Sequence, residues 1–292
     1  MKIGFVGLGV MGKPMAKRLV QAGYEVVVFD RKPDVMDELV QVGAEKSKCI
    51  EQLAEISEIF ITMLPNGPDV KEVVLTQAYS HLDKGKIVID MSSIDPTISR
   101  EIAHSLGEIG VEMLDAPVSG GEPKAVDGTL AFMVGGKKEV FEQCRPILET
   151  MGTSVTLCGG IGAGNVVKLC NQIIVALNIA ALSEAMTLGQ LAGVAPETIF
   201  AAIRGGLAGS TIMDAKAPMM MDQDFQPGFR IDLHIKDLNN AVIAAREACA
   251  PLPLTSQVLE MMKNLHRDGY GNLDHSALIK FYEKLVGESL HH

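Results

Sequence analysis

The sequence lacks any block of lysine or arginine. Its 26 Lys and Arg residues are outnumbered by 36 Asp and Glu residues, and the formal net charge at pH 7 is −10. Binding to a polyanion such as nucleic acid is therefore disfavoured, because an acidic chain without a basic patch repels phosphates. An acidic protein that handles anionic ligands must concentrate positive charge locally, so single lysines in unusual positions are informative.

Paired cysteines are also lacking. No two of the five cysteines have CxxC spacing, so the common zinc and redox motifs are excluded and no metal is expected. We expect reduced thiols that act as small buried hydrophobic side chains in a reducing compartment. The cysteines are Cys49, Cys144, Cys158, Cys170 and Cys249.

Targeting and membrane-spanning signals are missing as well. The N-terminal run MKIGFVGLG has neither the length nor the cleavage site of a secretory signal. The most apolar later stretch, residues 172–182, contains Gln172 and Asn178 and falls short of a bilayer span. We therefore expect a cytoplasmic protein with no membrane or nucleic-acid partner. Residues 290–292 resemble the end of an expression tag and carry no functional argument.

The first half of the chain alternates short β-rich runs with amphipathic helices. Strands that alternate with helices form a parallel sheet that is covered on both faces. Strands are predicted at residues 2–6, 25–30, 58–64, 86–91 and 111–116, and helices at residues 11–22, at residues 33–42 and from Asp95-Pro96 onward.

The alternation ends near residue 158, and the rest of the chain is predicted to be helical. We expect an α/β domain at residues 1–162 and an all-helical domain for substrate binding and oligomerisation at residues 163–292, joined by a long interdomain helix. The mean hydropathy of +0.21 indicates that some apolar surface is a subunit interface, as in a homodimer or homotetramer. Helices are predicted at residues 163–192, 196–204, 235–247 and 256–267.

A glycine-rich turn connects the first predicted strand to the first predicted helix. Gly7, Gly9 and Gly12 form the pattern GxGxxG, which in dinucleotide sites permits a tight turn, close approach of a pyrophosphate, and helix–strand packing. The helix N-terminus adds N–H groups and a positive dipole end. This context predicts a Rossmann-type, doubly wound parallel sheet that binds a dinucleotide at Gly7, Leu8, Gly9, Val10, Met11 and Gly12.

Asp30 ends the second predicted strand, where a ribose-binding acid is expected. Its carboxylate can accept hydrogen bonds from ribose hydroxyls and repels a 2′-phosphate, which favours NAD(H). Arg31 follows directly and could bind that phosphate, so NADP(H), or the use of both cofactors, stays open.

Five blocks of sequence follow one another along the chain. They are the opening FVGLGVMGKPMAKRL, then DMSSIDP at 90–96, DAPVSGGEPKAVDGTL at 115–130, GAGNVVKLCNQ at 162–172, and HIKDLNNA at 234–241. Together they resemble the β-hydroxyacid dehydrogenase family, which includes 3-hydroxyisobutyrate dehydrogenase. The runs at 203–220 and 225–238 resemble the members that reduce tartronate semialdehyde (2-hydroxy-3-oxopropanoate). The resemblance implies an NAD(P)-dependent oxidoreductase that reversibly reduces this aldehyde to D-glycerate in glyoxylate or sugar-acid breakdown.

Lys168 stands early in the long predicted helix, with Asn171 and Gln172 on the same helix face. On the residues alone, a lysine that snorkels from a helix end is an equally good interpretation. The resemblance implies that Lys168 is the catalytic residue, whose ammonium stabilises charge on the aldehyde oxygen and donates a proton. Family members commonly carry asparagine where this chain has Gln172, so we assign the supporting role to Asn171 first.

A Ser-Gly-Gly turn follows the predicted strand at 111–116, at residues 119–121. It exposes backbone N–H groups that suit a carboxylate, although an ordinary tight turn is the alternative. The resemblance implies that Ser119, Gly120 and Gly121 bind the acid group of the substrate. It also places Gln172 at the substrate, and Lys236 beside the substrate or cofactor at the nicotinamide end of the cleft between the domains.

Lys236 has a plainer interpretation as a helix-surface lysine that is paired with Asp237. By resemblance, Ser93 and the Leu64-Pro65 turn contact the cofactor. We interpret Asp95 as a helix cap. We interpret His234 as structural, because the sequence shows no acid or nucleophile as its catalytic partner.

Two rival functions stay open. The first is oxidation of 3-hydroxyisobutyrate or another β-hydroxyacid, which calls for a more apolar pocket than a hydroxylated substrate does. The second is a non-catalytic dinucleotide-sensing module, which would keep the glycine loop without needing Lys168.

Overall fold

The computed structural model of the protein describes residues 1–289, and the set-aside residues 290–292 lie outside that part. The chain divides into two compact units, Met1–Lys168 and Leu169–His292. The division falls within one helix, a few residues after the start of that helix. The first unit is an α/β structure and the second is helical.

The first unit is built around a nine-stranded sheet. Six parallel strands lie in the order β3-β2-β1-β4-β5-β6, which is the order found in dinucleotide-binding sheets. The predicted doubly wound sheet is thus confirmed. These strands are β1 (Lys2–Val6), β2 (Glu25–Phe29), β3 (Glu45–Lys46), β4 (Ile59–Thr62), β5 (Ile87–Asp90) and β6 (Glu112–Asp115).

Alternate residues of the central strands enter two separate hydrophobic cores. In β4, Ile59 and Ile61 belong to one core whereas Phe60 belongs to the other. Because successive side chains of a strand point to opposite faces, this division shows that both faces of the sheet are covered. The near-continuous apolar character of the strands follows from that burial.

The sheet continues beyond β6 with three strands that the sequence analysis did not predict. These are β7 (Val118–Ser119), β8 (Leu130–Gly135) and β9 (Gly152–Gly159). Strand β8 runs antiparallel to β6 and β7 but parallel to β9. The sheet is therefore mixed at this edge rather than wholly parallel.

The predicted helices of the first unit are present; two further α-helices lie between them and two follow them. Asp95 accepts a hydrogen bond from the N–H of Thr97 at 2.9 Å, which confirms its predicted role as a cap. The helices are α1 (Gly12–Gln21), α2 (Pro33–Val40), α3 (Ile50–Ile56), α4 (Gly67–Lys71), α5 (Pro96–Glu108), α6 (Gly121–Asp127) and α7 (Lys138–Glu149), with a π-helical segment at Glu72–Ala78 and a 3-10 segment at Tyr79–His81.

The long predicted helix is confirmed as α8 (Ala163–Leu191), which begins in the first unit and continues into the second. The helices of the second unit pack around their own hydrophobic core. They are α9 (Pro196–Ile203), α10 (Thr211–Met221), α11 (Ile231–Glu247), α12 (Pro253–Leu265) and α13 (Ile279–Val286), with a π-helical segment at His266–Tyr270 and a 3-10 segment at His275–Leu278.

Helix α8 is long and apolar enough to cross a membrane by length and composition alone, with a hydropathy of 1.7 in its most apolar window. Residues 172–182 alone are too short to span a bilayer, but the helix extends beyond them on both sides. Of that window, 44% is buried within the protein, and core helices of soluble proteins meet the same criterion. The composition is therefore weak evidence for a membrane span.

The expectation that the cysteines act as buried hydrophobic side chains is wrong for most of them. Only Cys144 is buried, and burial raises the pKa of its thiol to about 12. Cys170 and Cys249 are exposed, and Cys49 and Cys158 are partly buried. All five are free thiols.

Candidate active site

The glycine loop between β1 and α1 has the geometry that a pyrophosphate requires. Gly7 has a φ of +94°, and a Cβ atom there would lie 2.3 Å from the carbonyl oxygen of Met63. A Cβ atom on Gly12 would lie 1.9 Å from the carbonyl oxygen of Gly7. By contrast, a Cβ atom on Gly9 would meet no heavy atom within 4 Å. The loop is thus closely packed on its protein side and open at Gly9, which fits a dinucleotide phosphate.

Asp30 lies against this loop. One of its carboxylate oxygens accepts the backbone N–H of Leu8 at 2.7 Å, and the other accepts the N–H of Lys32 at 2.9 Å. Asp30 therefore connects the end of β2 to the glycine loop. Arg31 is exposed beside it.

The carboxyl ends of β4 and β5 form the adjoining part of the same sheet edge. Asp90 Oδ1 accepts the hydroxyl of Thr62 at 2.8 Å and the N–H of Ser92 at 3.1 Å. The hydroxyl of Ser92 in turn accepts the N–H of Leu64 at 2.9 Å. These bonds fix the segments that carry the predicted cofactor contacts Leu64, Pro65 and Ser93.

The Ser-Gly-Gly turn follows β7. Ser119 is partly buried and ends the strand, while Gly120 has a φ of +139° and Gly121 a φ of +71°. Side chains are strained at both glycine positions, because this left-handed region disfavours residues with a Cβ atom. The turn therefore requires the glycines at positions where the sequence analysis expects a carboxylate-binding nest.

The start of α8 is held by a buried carboxylate that the sequence analysis did not single out. Asp115, at the end of β6, accepts the N–H of Gly162 at 2.6 Å and the N–H of Asn165 at 2.7 Å. Burial raises the pKa of the Asp115 carboxyl to about 6, and the neighbouring Asp90 adds to the rise, while the two N–H donors oppose it. Asp115 thus acts as a long-range N-terminal cap for α8.

Asn165 joins the first turn of α8 to the loop after β5. Its side-chain oxygen accepts the N–H of Ile94 at 3.0 Å, and its amide nitrogen donates to the hydroxyl of Ser99 at 3.1 Å. A Cβ atom on Gly164 would lie 2.4 Å from the carbonyl oxygen of Met133, so the helix approaches the sheet very closely. The backbone that carries Lys168 is therefore fixed within the first unit.

Lys168 is buried, with only 6% of the residue exposed. This burial argues against a lysine that snorkels into solvent from a helix end, because such a side chain keeps its ammonium in water. Val166 and Val167, which precede it, are exposed. Lys168 thus lies on the buried side of α8.

Further along α8, the two amides of Asn171 and Gln172 are hydrogen-bonded to each other. Asn171 Nδ2 donates to Gln172 Oε1 at 2.8 Å, and Gln172 Nε2 donates to Asp237 Oδ2 at 2.7 Å. Gln172 and Asp237 are buried, whereas Asn171 is partly exposed. Both polar ends of the Gln172 side chain are therefore engaged inside the helical unit.

Lys236 forms an ion pair with Asp237, in which Nζ lies 3.2 Å from Oδ1. The pairing that the sequence analysis weighed as the plainer interpretation therefore exists. The lysine side chain is 26% exposed, however, and its carboxylate partner is buried. Asp237 thus contacts both Gln172 and Lys236, two of the residues that the sequence analysis assigned to the substrate.

His234 has a partner that the sequence analysis could not identify. Its Nδ1 lies 2.9 Å from Nδ1 of His275, and its Nε2 lies 3.1 Å from the carbonyl oxygen of Gln172. Asp274, next to His275 in the sequence, belongs to the same buried cluster. Burial alone would raise the pKa of its carboxyl, but His275, Lys216 and hydrogen bonds outweigh burial and lower the pKa. Through the contact of His234 with the Gln172 carbonyl oxygen, the cluster holds α11 against α8 at Gln172.

Comparison with known proteins agrees with this architecture. Residues 2–160 match the model described as the NAD binding domain of 6-phosphogluconate dehydrogenase. Residues 162–282 match the model described as NAD-binding of NADP-dependent 3-hydroxyisobutyrate dehydrogenase. The chain is 42% identical to 2-hydroxy-3-oxopropionate reductase of Escherichia coli (strain K12), over 99% of this chain and 100% of that protein. It belongs to the β-hydroxyacid dehydrogenase family.

Other members of the β-hydroxyacid dehydrogenase family are similar over nearly the same span. The human mitochondrial 3-hydroxyisobutyrate dehydrogenase is 34% identical, over 96% of this chain and 86% of that protein. A solved structure of Mycobacterium tuberculosis 3-hydroxyisobutyrate dehydrogenase with L-serine superposes with a TM-score of 0.91 at 33% identity, covering 96% of this chain and 98% of the other. The chain is thus an NAD(P)-dependent oxidoreductase that acts on a CH–OH group.

Proposed function

We propose that this β-hydroxyacid dehydrogenase reduces tartronate semialdehyde (2-hydroxy-3-oxopropanoate) to D-glycerate, reversibly, in glyoxylate or sugar-acid breakdown. The observation that carries the proposal is the 42% identity, along the whole chain, to the Escherichia coli enzyme named for this substrate. The polar amide pair Asn171–Gln172 adds support, because a hydroxylated substrate needs polar partners.

The cofactor is a nicotinamide dinucleotide, which when bound supplies a hydride to the aldehyde carbon. We favour NAD(H), since the Asp30 carboxylate would accept ribose hydroxyls and repel a 2′-phosphate, although Arg31 provides a route to NADP(H). The residues proposed to hold it are Gly7, Leu8, Gly9, Val10, Met11, Gly12, Asp30, Arg31, Leu64, Pro65, Ser93 and Lys236.

Lys168 is the proposed proton donor. During reduction, the aldehyde oxygen gains negative charge, which the Lys168 ammonium stabilises before it donates a proton. During oxidation, neutral Lys168 accepts the hydroxyl proton, so oxidation should favour higher pH than reduction. Its burial supports this role over that of a surface charge. The presence of the lysine argues against a non-catalytic nucleotide-sensing module, which would not need it.

The remaining proposed site residues orient the substrate. Ser119, Gly120 and Gly121 bind its carboxylate through the hydroxyl and the backbone N–H groups of the turn. Asn171 orients the substrate, with Gln172 and Lys236 beside it.

The two parts of the chain have separate proposed tasks. Residues 1–162 bind the dinucleotide, while residues 163–292 contribute to substrate binding and to a homodimer or homotetramer. Exposed apolar side chains of α8, such as Ile174 and Leu188, support a subunit interface. A cytoplasmic location fits the soluble, reduced-thiol character of the sequence.

A steady-state panel tests the substrate. We expect tartronate semialdehyde to be reduced with a higher kcat/KM than succinic semialdehyde, and D-glycerate to be oxidised in preference to 3-hydroxyisobutyrate, each measured with NAD(H) and NADP(H). Comparable or better activity on 3-hydroxyisobutyrate would favour the second candidate, which the human and Mycobacterium tuberculosis relatives support. That result would exclude the specific substrate while leaving the family assignment intact.

A further inference from the structure

Asp237 lies between two of the proposed substrate residues. It is 1% exposed, and its Oδ2 accepts the side-chain amide of Gln172 at 2.7 Å while its Oδ1 lies 3.2 Å from Lys236 Nζ. A buried carboxylate in this position has two consequences. It attracts the charged side chain of Lys236. It also determines whether the oxygen or the nitrogen of each neighbouring amide faces its partner.

The polarity of the amides follows from the chemistry of Asp237. A carboxylate only accepts hydrogen bonds, so Gln172 must turn its NH2 group toward Asp237. Its carbonyl oxygen then faces Asn171, which must turn its own NH2 group toward Gln172, as the 2.8 Å contact shows. Because the oxygen of an amide lies on the other side of its carbon from the nitrogen, Asn171 presents Oδ1 away from Gln172. This orientation leaves Asn171 Oδ1 on the side away from Gln172, where it can accept a hydrogen bond.

Gln172 is also held through its main chain. Its carbonyl oxygen can only accept, so the His234 Nε2 that lies 3.1 Å away carries the hydrogen. In a neutral His234 ring, Nδ1 is then the acceptor, and His275 Nδ1, 2.9 Å away, is the donor. His234 and Asp237 lie three residues apart on one face of α11 and hold the backbone and the side chain of Gln172 together.

We propose that Asp237 is a positioning residue, and that the relay from Asp237 through Gln172 makes Asn171 Oδ1 the acceptor for a hydroxyl group on the substrate carbon next to the carboxylate. Gln172, which lies beside the substrate, contributes by fixing the orientation of the Asn171 amide. The inference rests on the proposed function, because it requires Asn171 to face the substrate. It narrows the substrate class to acids with a hydroxyl at this carbon, since a site built to bind a hydroxyl rejects analogues without one.

Two aldehydes that differ only in that hydroxyl test the inference. They are tartronate semialdehyde and malonate semialdehyde (3-oxopropanoate), and the readout is the ratio of their kcat/KM values. We expect the wild-type ratio to be at least about 100, and Gln172→Met to lower it about 10-fold or more by loss of activity on the hydroxylated substrate. A purely structural role of Gln172 would lower both values together. The control is Gln257→Met on α12, where an exposed glutamine is replaced and the ratio should not change.

Two Asp237 variants distinguish the hydrogen-bond acceptor of this side chain from its negative charge. Asp237→Asn keeps an oxygen that can accept from Gln172, so it should keep the ratio within about 3-fold, whereas Asp237→Leu should lower it as Gln172→Met does. Thermal unfolding identifies any variant that does not fold. If Asp237→Leu does not fold, the ratio measured for Gln172→Met tests the relay.

The outcomes distinguish the two levels of the proposal. If the wild type prefers tartronate semialdehyde and Gln172→Met has the same ratio of kcat/KM values, the relay is wrong. The proposed function would be unaffected by that result. A wild type that reduces both aldehydes equally well would overturn the relay and the hydroxylated-substrate assignment together.

Discussion

The buried carboxylate of Asp115 makes the stability of the protein depend on pH in an unusual direction. Its pKa is about 6 in the folded chain, against an ordinary value of 3.8. Between these values, the folded state binds more protons than the unfolded state, so the contribution of this group is largest at low pH and is lost as pH rises through about 6. Paired carboxylates usually show the opposite dependence.

The magnitude follows from the same two pKa values. Linkage gives a contribution that is about 2 kcal/mol larger at pH 4.5 than at pH 8. Asp115→Asn removes this titratable group while keeping a side chain of nearly the same size and shape. Its amide oxygen can accept only one of the N–H groups of Gly162 and Asn165, which costs about 1–3 kcal/mol at every pH. We therefore compare the two proteins at each pH, because the titration of groups that do not interact with Asp115 cancels in the difference between their free energies of unfolding.

The assay is denaturant unfolding of wild type and Asp115→Asn, followed by far-UV circular dichroism at pH 4.5, 6 and 8. We expect the advantage of wild type to grow by about 2 kcal/mol from pH 8 to pH 4.5. Asp127→Asn, at an exposed position, is the matched control and should show a constant difference. A constant difference for Asp115→Asn, or one that shrinks toward low pH, would refute the assigned cause.

Three further variants test the cofactor site. Gly12→Ala should destabilise the protein by about 1–3 kcal/mol or more, because its Cβ atom would lie 1.9 Å from a backbone oxygen. Gly9→Ala should leave the unfolding midpoint unchanged but weaken dinucleotide binding measured by calorimetry, and equal destabilisation by both would contradict the assigned roles. Arg31→Ala should weaken NADPH binding about 10-fold and leave NADH binding within about 2-fold, since only NADPH carries a 2′-phosphate. An equal loss for both cofactors would exclude that contact.

Local patterns predicted the elements whose signals lie within a few residues. The strand at Lys2–Val6, the cap at Asp95 and the long helix α8 are all found where the sequence places them. Helix α10 was missed because Pro218 lies inside it, and a proline normally interrupts a helix. Helix α11 begins at Ile231, before the predicted residue 235.

The second layer of the candidate site could not be predicted, because its contacts join residues far apart in the chain. Asp115 and Asn165 are 50 residues apart, and Gln172 and Asp237 are 65 apart. Neither hydrophobic periodicity nor motif spacing in the sequence predicts such pairs. The one local signal was the Lys236–Asp237 pair, which pointed to a surface ion pair and not to a buried carboxylate between two site residues.

The most direct test of the account is the turnover of Lys168 variants. Lys168→Ala should lower kcat for aldehyde reduction by about 100-fold or more and leave the dissociation constant of the dinucleotide within about 3-fold. Lys168→Arg should fail as well, because a guanidinium keeps the charge but does not give up its proton. Lys263→Ala, at an exposed lysine of α12, serves as the control and should retain full activity. Full turnover by Lys168→Ala would contradict the central claim that Lys168 transfers the proton.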